Sequence, residues 1–232
     1  MGNMETIKKD VLRSNKDLVE KGLVIKSFGN VSQRFNQYCV IKPSGINLNE
    51  IKSNDMVSVN IGDGGYDNSS LKPSSDTPTH LELYKRYKDI ESIVHTHSKF
   101  ATSWAQSGLS IPCLGTTHAD YYEEDIPVTR SLTDNEIKVD YEKNTGLIII
   151  ETIENLKINI SKCPGVLVFN HGVFSWGKSP HDAVENASLI EYIAEMAFMS
   201  LNINSDIKSL NNQLHKKHYD RKHGKEKYYG QE

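Results

Sequence analysis

Residues 92 to 98 read Ser-Ile-Val-His-Thr-His-Ser, an apolar run that ends in two histidines. The run predicts a β-strand over residues 93–97. Because side chains alternate faces along a strand, Ile93, His95 and His97 are expected on one face and the two residues between them on the other. Two imidazoles about 7 Å apart along one face can converge on one metal ion, but edge histidines can also be satisfied by hydrogen bonds alone. The stretch itself leaves both interpretations open.

A third histidine, His171, follows another predicted strand, residues 166–169, in the sequence Asn-His-Gly. Three neutral imidazoles can bind a divalent ion and leave one coordination position open for a substrate oxygen, which is typical of a catalytic site. His95, His97 and His171 are therefore the candidate metal ligands. Imidazole nitrogen binds zinc, manganese, cobalt and nickel, so these residues do not select one metal.

Helical periodicity appears in three other parts of the chain. Apolar residues at helical spacing predict helices over residues 4–22 and 182–201. Thr77 followed by Pro78 predicts the cap and the first residue of another helix.

Further strands are predicted from short apolar runs at residues 38–41, 56–61 and 147–150. Helices and strands alternate irregularly over 232 residues, a length within the range of one domain. The pattern therefore favours a single three-layer α/β/α domain over residues 1–232.

The composition is that of an ordinary globular chain. A formal net charge of −3 gives no strong field toward nucleic acid or an anionic membrane, so neither is expected as a partner. No apolar stretch approaches the roughly 20 residues of a membrane span. Three scattered cysteines without a CxxC pair argue against a disulfide framework and favour a reducing cytoplasm.

Three polar stretches have the character of anion-binding turns. Residues 72–80 read Lys-Pro-Ser-Ser-Asp-Thr-Pro-Thr-His, and hydroxyl and N–H groups just before a helix are a site for phosphate. Residues 29–32 and 41–45 are also rich in Gly, Ser, Asn and Lys, although such residues are ordinary turn formers. Asp76 has three roles open to it: a metal ligand, a group that orients the ligands, or a helix cap.

A set of motifs follows in a fixed order from about residue 5 to the C-terminus. The motifs are Gly29-Asn-Val-Ser32, Lys42-Pro-Ser-Gly45, Lys72-Pro-Ser-Ser-Asp-Thr-Pro-Thr-His80, His95-Thr-His-Ser98, Gly115-Thr-Thr-His-Ala-Asp-Tyr121, Asn170-His-Gly172, and Lys217-His-Tyr219 with Tyr228-Tyr-Gly-Gln231. Their order and spacing closely resemble the L-ribulose-5-phosphate 4-epimerase family of the class II aldolase/epimerase superfamily.

The resemblance implies a zinc-dependent enzyme that interconverts L-ribulose 5-phosphate and D-xylulose 5-phosphate. Arabinose breakdown and ascorbate or xylulose breakdown both use such epimerases. Mn²⁺, Co²⁺ or Ni²⁺ would be substitutes for Zn²⁺. The resemblance also implies a mainly antiparallel central sheet of the class II aldolase type.

The family's site residues can be carried over position by position. Its metal ligands fall on His95, His97 and His171, with Asp76 beside or among them. Its phosphate pocket falls on Asn30, Lys42, Ser44, Gly45, Ser74 and Ser75.

The family's acid and base fall on Asp120 and Tyr229, with His218 near the same site. Four identical subunits surround interfacial sites in this family, so the tail, about residues 206–232, is expected to reach a neighbouring subunit's substrate. Without the resemblance, Asp120 would be interpreted as a turn residue and Tyr229 as part of a free tail. The tail's basic residues are diluted by acidic ones, which indicates a solvated helix rather than nucleic-acid binding.

Two other functions fit parts of the same pattern. A sugar-phosphate aldolase of the fuculose or rhamnulose type has a similar histidine set and releases its two fragments, but such enzymes tend to carry a glutamate near the place of Asp76. The head domain of adducins, a non-catalytic scaffold, shares the fold and lacks the histidines. Asp76, the Thr-His-Ala-Asp stretch at residues 117–120 and the three histidines favour the epimerase.

Overall fold

A six-stranded antiparallel sheet forms the centre of the protein. The computed structural model describes residues 3–25, 27–48, 50–67, 71–225 and 227–229. The strands are β1 (Asn30–Phe35), β2 (Tyr38–Ile41), β3 (Val57–Asn60), β4 (Ser92–Thr96), β5 (Gly165–Val168) and β6 (Gly172–Gly177). They lie in the order β3-β2-β1-β4-β6-β5. The histidine strand β4 is therefore internal, between β1 and β6.

Helices cover both faces of this sheet. They are α1 (Met4–Glu20), α2 (Thr77–Arg86), α3 (Lys99–Ser107), α4 (Thr116–Ala119), α5 (Asp134–Lys138), α6 (Tyr141–Asn155), α7 (Pro180–Ile203) and α8 (Asn212–His223), with a 3₁₀ turn at Ser53–Asp55. Helices α2 and α6 pack together on one face, and α1, α3 and α7 cover the other. The predicted three-layer α/β/α domain is confirmed, as is its antiparallel sheet. The helices predicted at residues 4–22 and 182–201 correspond to α1 and α7.

The two faces of β4 follow the predicted alternation. Ile93 packs with Phe174 in the core beneath α2 and α6, whereas Val94 belongs to the core beneath α1 and α7. His95 lies on the Ile93 face, where its ring stacks on Phe174 with 4.2 Å between centroids. His97 lies just past the end of the strand.

Strands β1 and β6 have no counterpart in the sequence prediction. In the sheet, β1 places Asn30 opposite His95, and β6 places Phe174 opposite the same histidine. These two strands therefore bring the Gly-Asn-Val-Ser segment and the turn around His171 to the β4 histidines.

The predicted strand at residues 147–150 is wrong, because these residues lie within α6. Ile148 and Ile149 are buried while Leu147 is 42% exposed, as expected for consecutive positions around a helix. Gly146 permits close approach to α2, since a Cβ there would lie 3.0 Å from the carbonyl oxygen of Thr79. Periodicity cannot distinguish a short buried strand from a buried helical segment, and packing on α2 decides the outcome here.

Helix α2 begins one residue earlier than predicted, with Asp76 as its N-cap and Thr77 as its first residue. The Asp76 side chain makes no capping hydrogen bond. Its carboxylate instead accepts a hydrogen bond from Asn30. Asp76, for which a helix cap was one of three predicted roles, is thus at the N-cap position while its carboxylate bonds to Asn30.

Helix α7 is amphipathic, with Val184, Ile190 and Ala194 buried and Tyr192 and Phe198 about half exposed. Among the described residues, no helix, α7 included, combines the length and the apolar character needed to cross a membrane.

Candidate active site

The three candidate metal-ligand histidines form one cluster. His95 lies in the buried strand β4, His97 follows that strand, and His171 lies in the turn between β5 and β6. One ring nitrogen of each lies within 4.8 Å of the other two. The Nε2 atoms of His95 and His97 are 3.0 Å apart. The turn is closed by the His171 N–H, which donates to the carbonyl oxygen of Val168 at 3.0 Å.

The orientation of His95 is fixed by its neighbours. Its Nδ1 donates to the carbonyl oxygen of Val173 at 3.0 Å. In the neutral ring Nε2 then carries the lone pair. Gly172 leaves no room for a side chain, since a Cβ there would lie 2.6 Å from the carbonyl oxygen of Thr96 and 3.2 Å from His95 Cε1. Glycine at this position therefore allows the β6 backbone to approach the histidines.

Burial favours the neutral form of these imidazoles. It lowers the pKa of His95 well below its ordinary value, and the nearby His171 and His97 lower it further. Burial also lowers the pKa of His97 and of His171, against the opposing effect of the Asp76 carboxylate. Neutral imidazole is the form that binds metal.

The donor set fits a divalent ion. A tetrahedral ion with bonds of about 2.0–2.1 Å places its ligand nitrogens about 3.3 Å apart. The 3.0 Å separation of the His95 and His97 nitrogens is close to that value. His171 lies near enough for a small ring movement to complete the set.

Asp76 lies beside this cluster. Within the described residues, the group of close ligand atoms consists of the three histidines. The Asp76 Oδ2 atom accepts a hydrogen bond of 2.6 Å from Asn30 Nδ2. Its charge still acts on His97 and His171. The observed contact favours an orienting role, and direct ligation by Asp76 stays a prediction.

Asn30 connects the histidine cluster to the predicted phosphate pocket. The Nδ2 atom that binds Asp76 also lies 3.2 Å from Ser74 Oγ. Asn30 is 1% exposed, and its Oδ1 atom has no hydrogen-bond partner among the described residues. A buried carbonyl oxygen without a partner is costly, so a donor from a bound molecule would satisfy it.

The other pocket residues come from two paired loops. The Ser44 N–H donates to the carbonyl oxygen of Lys72, and the Ser74 N–H donates to that of Lys42. In this pairing Ser44, Gly45 and Ser75 remain exposed. Gly45 has a φ of +69° and open space where a side chain would be.

Lys42 is 2% exposed, and its ammonium donates to the carbonyl oxygen of Ser27 at 3.0 Å. Burial lowers the pKa of Lys42, while the nearby Asp76 carboxylate opposes the shift. A buried cation with one hydrogen-bond partner among the described residues is a group that an anionic ligand would stabilise.

Asp120 lies in a different cluster. Its Oδ1 accepts hydrogen bonds from His218 Nδ1 at 2.9 Å and Arg221 Nε at 3.1 Å, and its Oδ2 accepts one from Arg221 Nη2 at 2.7 Å. Lys222 Nζ is 3.6 Å from Oδ2. Burial by itself would raise the pKa of Asp120, but the bonds from Arg221 and His218 outweigh it and the pKa is lowered.

Tyr229 belongs to the same cluster. Its N–H donates to the carbonyl oxygen of Arg221 at 3.1 Å, and its ring lies 4.7 Å from the Arg221 guanidinium carbon. The Lys222 ammonium is 4.6 Å from the same ring. Asp120, His218 and Tyr229 are thus brought together, whereas Gly230 and Gln231 of the C-terminal motif lie outside the described residues.

The Asp120 cluster and the histidine cluster lie at opposite ends of the β5–β6 hairpin. His171 is in the turn of the hairpin. A cavity of about 280 Å³ at the open end is lined by Tyr121 and His223 together with Trp176 and Gly177. Since β6 runs from Gly172 to Gly177, the two ends are about 17 Å apart at the usual rise per residue. One chain does not bring both halves of the predicted machinery together.

Two residues in these clusters were not singled out from the sequence. Arg221 is three residues after His218, a spacing that places both on one side of a helix and could have indicated it. Tyr141 places its hydroxyl 3.4 Å from His171 Nδ1. That contact spans 30 residues. No local pattern could have predicted it.

An antiparallel α/β/α domain with a three-histidine centre at a strand end defines the class II aldolase type of protein. The chain belongs to the class II aldolase and adducin N-terminal domain family, which matches residues 9–198.

Similar proteins cover almost the whole chain. A protein of Mycoplasma pneumoniae, named probable L-ribulose-5-phosphate 4-epimerase UlaF, is 48% identical over 229 residues, which is 97% of this chain and 95% of the relative. The structure of an L-fuculose 1-phosphate aldolase superposes with a TM-score of 0.78 at 25% identity, covering 93% of this chain and 95% of that one. The structure of YgbL from Klebsiella pneumoniae, a putative aldolase/epimerase/decarboxylase, shares the fold with a TM-score of 0.71 at 20% identity, covering 94% and 99%.

Proposed function

We propose that this chain is an L-ribulose-5-phosphate 4-epimerase, which interconverts L-ribulose 5-phosphate and D-xylulose 5-phosphate. The relative of that name is 48% identical over nearly the full length. The observation that carries the proposal is the contact of Asn30 with both Ser74 and Asp76, which joins an anion pocket to a three-histidine cluster. A sugar phosphate bound there would place its phosphate and its keto end in adjoining parts of one site.

The chemistry requires a carbon–carbon bond to break. The ketone is at C2, so the hydrogen on C4 is not acidic and its removal cannot invert C4. Cleavage of C3–C4 can invert it. A base accepts the proton of the C4 hydroxyl, C4 becomes an aldehyde, and the bonding electrons pass through C3 to the C2 oxygen. Rotation of the aldehyde and reversal of these steps on its other face gives the epimer.

The pocket residues have a kinetic role in this scheme. After cleavage, glycolaldehyde phosphate is attached to the protein only through its phosphate. Donors at the start of α2, around Ser74 and Ser75, together with Lys42, would retain it while the aldehyde turns. An epimerase must retain glycolaldehyde phosphate for longer than its aldehyde group takes to rotate, whereas an aldolase releases it.

His95, His97 and His171 would hold a divalent ion, in accordance with the metal dependence that is typical of the family. We propose Zn²⁺, with Mn²⁺, Co²⁺ or Ni²⁺ as substitutes. When bound, the ion would act as a Lewis acid that stabilises the negative charge on the three-carbon fragment.

Asp120 and Tyr229 are proposed as the two proton-transfer groups at the C4 oxygen, one for each face of the aldehyde, with His218 supporting Asp120. The carboxylate of Asp120 can accept a proton, and the phenol of Tyr229 can donate one. Their distance from the histidine cluster of the same chain supports sites completed by a second copy. We therefore propose a homotetramer in which the tail, residues 206–232, completes the neighbouring subunit's site.

The alternative is a class II aldolase of the fuculose or rhamnulose phosphate type, which the superposition on L-fuculose 1-phosphate aldolase favours. An adducin-like scaffold is less consistent with the histidine cluster. A cytoplasmic location is also proposed, and the free, buried thiols of Cys39, Cys113 and Cys163 are in keeping with it.

Incubation of the metal-loaded protein with L-ribulose 5-phosphate, with and without a chelator, tests the proposal. Chelator-sensitive formation of D-xylulose 5-phosphate is expected. Accumulation of free dihydroxyacetone and glycolaldehyde phosphate would instead identify an aldolase. Absence of both reactions in protein with a bound ion would contradict the proposed substrate.

A further inference from the structure

We infer that Arg221 is a positioning residue that fixes Asp120 and Tyr229 in one arrangement for proton transfer. The inference rests on the proposed function, in which these two groups exchange protons with the substrate. Arg221 itself would contact neither the substrate nor the metal of its own chain.

The contact between Arg221 and the Asp120 carboxylate has two points. Arg221 binds both oxygens of Asp120, through Nε at 3.1 Å and Nη2 at 2.7 Å. A two-point contact between a planar guanidinium and a carboxylate fixes the rotation of the carboxylate as well as its position. The Asp120 side chain is 12% exposed, so water weakens this contact less than it would at an open surface.

Arg221 also contacts Tyr229, through its backbone and its side chain. The carbonyl oxygen of Arg221 accepts the N–H groups of Tyr228 and Tyr229 at 3.0 Å and 3.1 Å. Its guanidinium carbon lies 4.7 Å from the centre of the Tyr229 ring, within the range of a cation–π contact. Arg221 therefore connects a residue of the α4 turn to a residue of the chain end, more than 100 positions later.

The neighbouring cations do not duplicate this arrangement. His218 gives Asp120 a single bond, of 2.9 Å, to Oδ1. Lys222 lies 3.6 Å from Oδ2, and its ammonium is also close to the rings of Tyr121 and Tyr229. An ammonium is a point charge without a fixed direction, so Lys222 contributes charge but cannot orient the carboxylate.

Two consequences follow for the reaction. The guanidinium favours the ionised form of Asp120, which is the form that accepts a proton from the C4 hydroxyl. Arg221 also keeps the Asp120 carboxylate and the Tyr229 phenol at a fixed distance from each other. The two faces of the aldehyde must therefore be presented to groups at that distance. Loss of either property would slow the chemical step more than substrate binding.

Among the described residues, the groups that contact the Asp120 carboxylate lie on α8 and are cationic or titratable. They are His218, Arg221 and Lys222, with His223 bonded to the Asp120 backbone oxygen. Removing the arginine would leave one lysine and two histidines there, so the pKa of Asp120 would rise toward its ordinary value. A base is active when deprotonated, so the acid limb of the kcat/KM profile would move to higher pH.

The test compares Arg221→Met with Arg221→Lys in the full-length, metal-loaded protein. Arg221→Met is expected to lower kcat by about 100-fold or more and to move the acid limb of the pH profile upward. Arg221→Lys keeps the charge, so its acid limb should stay near that of the wild type while kcat still falls about 10-fold. KM and bound metal should change little in either variant.

Wild-type kcat in Arg221→Lys would overturn the inference, because the two-point contact would then be unnecessary. A loss of kcat in Arg221→Met without movement of the acid limb would indicate only a structural role and would also overturn it. Should Arg221→Met not fold, the kcat of Arg221→Lys decides by itself. Lys9→Gln on α1 is the control, since Lys9 forms an exposed pair with Glu5 outside the tail and should be silent.

Turnover of Asp120→Asn and Tyr229→Phe distinguishes a failure of the proposed function from a failure of the inference about Arg221. If both keep full turnover, the proton-transfer scheme fails and the role of Arg221 fails with it. If both are impaired while the Arg221 variants behave as wild type, the scheme stands and the inference alone is wrong.

Discussion

The turn end and the open end of the β5–β6 hairpin hold two clusters with opposite electrostatics. At the turn end, three clustered histidines, of which His95 is buried, have pKa values that burial lowers, which favours their neutral form. At the open end, the Asp120 carboxylate is surrounded by cations of α8 and stays ionised. The first arrangement suits a metal ion and the second suits proton transfer. Since the proposed reaction needs both at one substrate, their separation within a chain is the reason for proposing that two copies complete each site.

The largest effect is expected from the turn end. His171→Ala removes one of three ligand nitrogens, so bound metal should be lost and turnover should fall at least about 1000-fold. Metal content and turnover of the same preparation check this. His181→Ala, which removes an exposed histidine at the start of α7, is the matched control and should retain both. Retention of metal at wild-type affinity in His171→Ala would remove the basis for the metal site.

At the open end, substitutions should lower turnover while the bound metal is retained. Asp120→Asn or Tyr229→Phe is expected to lower turnover by about 10²–10⁴-fold because a proton-transfer group is lost, while bound metal stays near one per subunit. Turnover and metal analysis of purified variants provide the measurement. Equal loss of turnover and metal would mean that the two clusters are not independent.

Mixing variants tests whether the two ends meet between subunits. Tetramers assembled from equal amounts of His171→Ala and Asp120→Asn chains should recover about a quarter of wild-type turnover, since a site is intact only when each half comes from the suitable parent. Co-expression with two affinity tags isolates the mixed species. If mixed tetramers are no more active than the two parents, the interfacial site is wrong.

Backbone packing also differs between the two ends. Gly172→Ala at the turn end should destabilise the fold by about 1–3 kcal/mol, because the new Cβ would meet the Thr96 carbonyl oxygen at 2.6 Å. Gly115→Ala, before α4 at the open end, has nothing within 4 Å of its Cβ and should change stability by less than about 0.5 kcal/mol. Denaturant unfolding of the pair measures the difference, and similar losses would contradict it.

The smallest effect concerns His118, in α4 beside Asp120. Burial lowers its pKa to about 4, against the effect of its hydrogen bond to the Glu124 backbone. The unfolded chain then binds a proton between about pH 6.5 and pH 4 that the folded chain does not, so stability falls as pH decreases through this window. His118→Gln should reduce the slope by at most about 1.4 kcal/mol per pH unit.

Unfolding free energies measured at several pH values for both proteins check this. His181→Gln, which alters an exposed histidine at the start of α7, is the control for the substitution itself. An unchanged slope in His118→Gln would show that His118 is not the group responsible.

Much of the histidine end could be predicted from local pattern. Alternation along residues 92–98 placed His95 on the Ile93 face, and the apolar run before His171 predicted β5. The layers of the fold were predictable, because local apolar patterns indicated α1, α7 and four of the strands, β2, β3, β4 and β5. The same method failed at residues 147–150, where an apolar run packs as helix α6 on α2 and no strand neighbour exists for it.

The cluster around Asp120 at the open end could not have been predicted from local sequence pattern. Tyr229 lies near a charged chain end, and Asp120 follows a four-residue helix, so neither has a periodic neighbourhood. Their contacts with Arg221 depend on α8 folding back onto α4. Tyr219 of α8 also faces the ammonium of Lys162, which is paired with Glu123.

The sequence by itself determined the residue types available for chemistry, the family they belong to and the strand that carries His95. Only the tertiary structure decided that Asp76 turns from its helix toward Asn30, that Arg221 binds Asp120 with both arms, and that the two clusters lie at opposite ends of one hairpin. The physical reason is the range of the interactions. Alternation and helix capping act within a few residues, whereas these contacts join positions 46 and 101 residues apart and form only after the sheet has assembled.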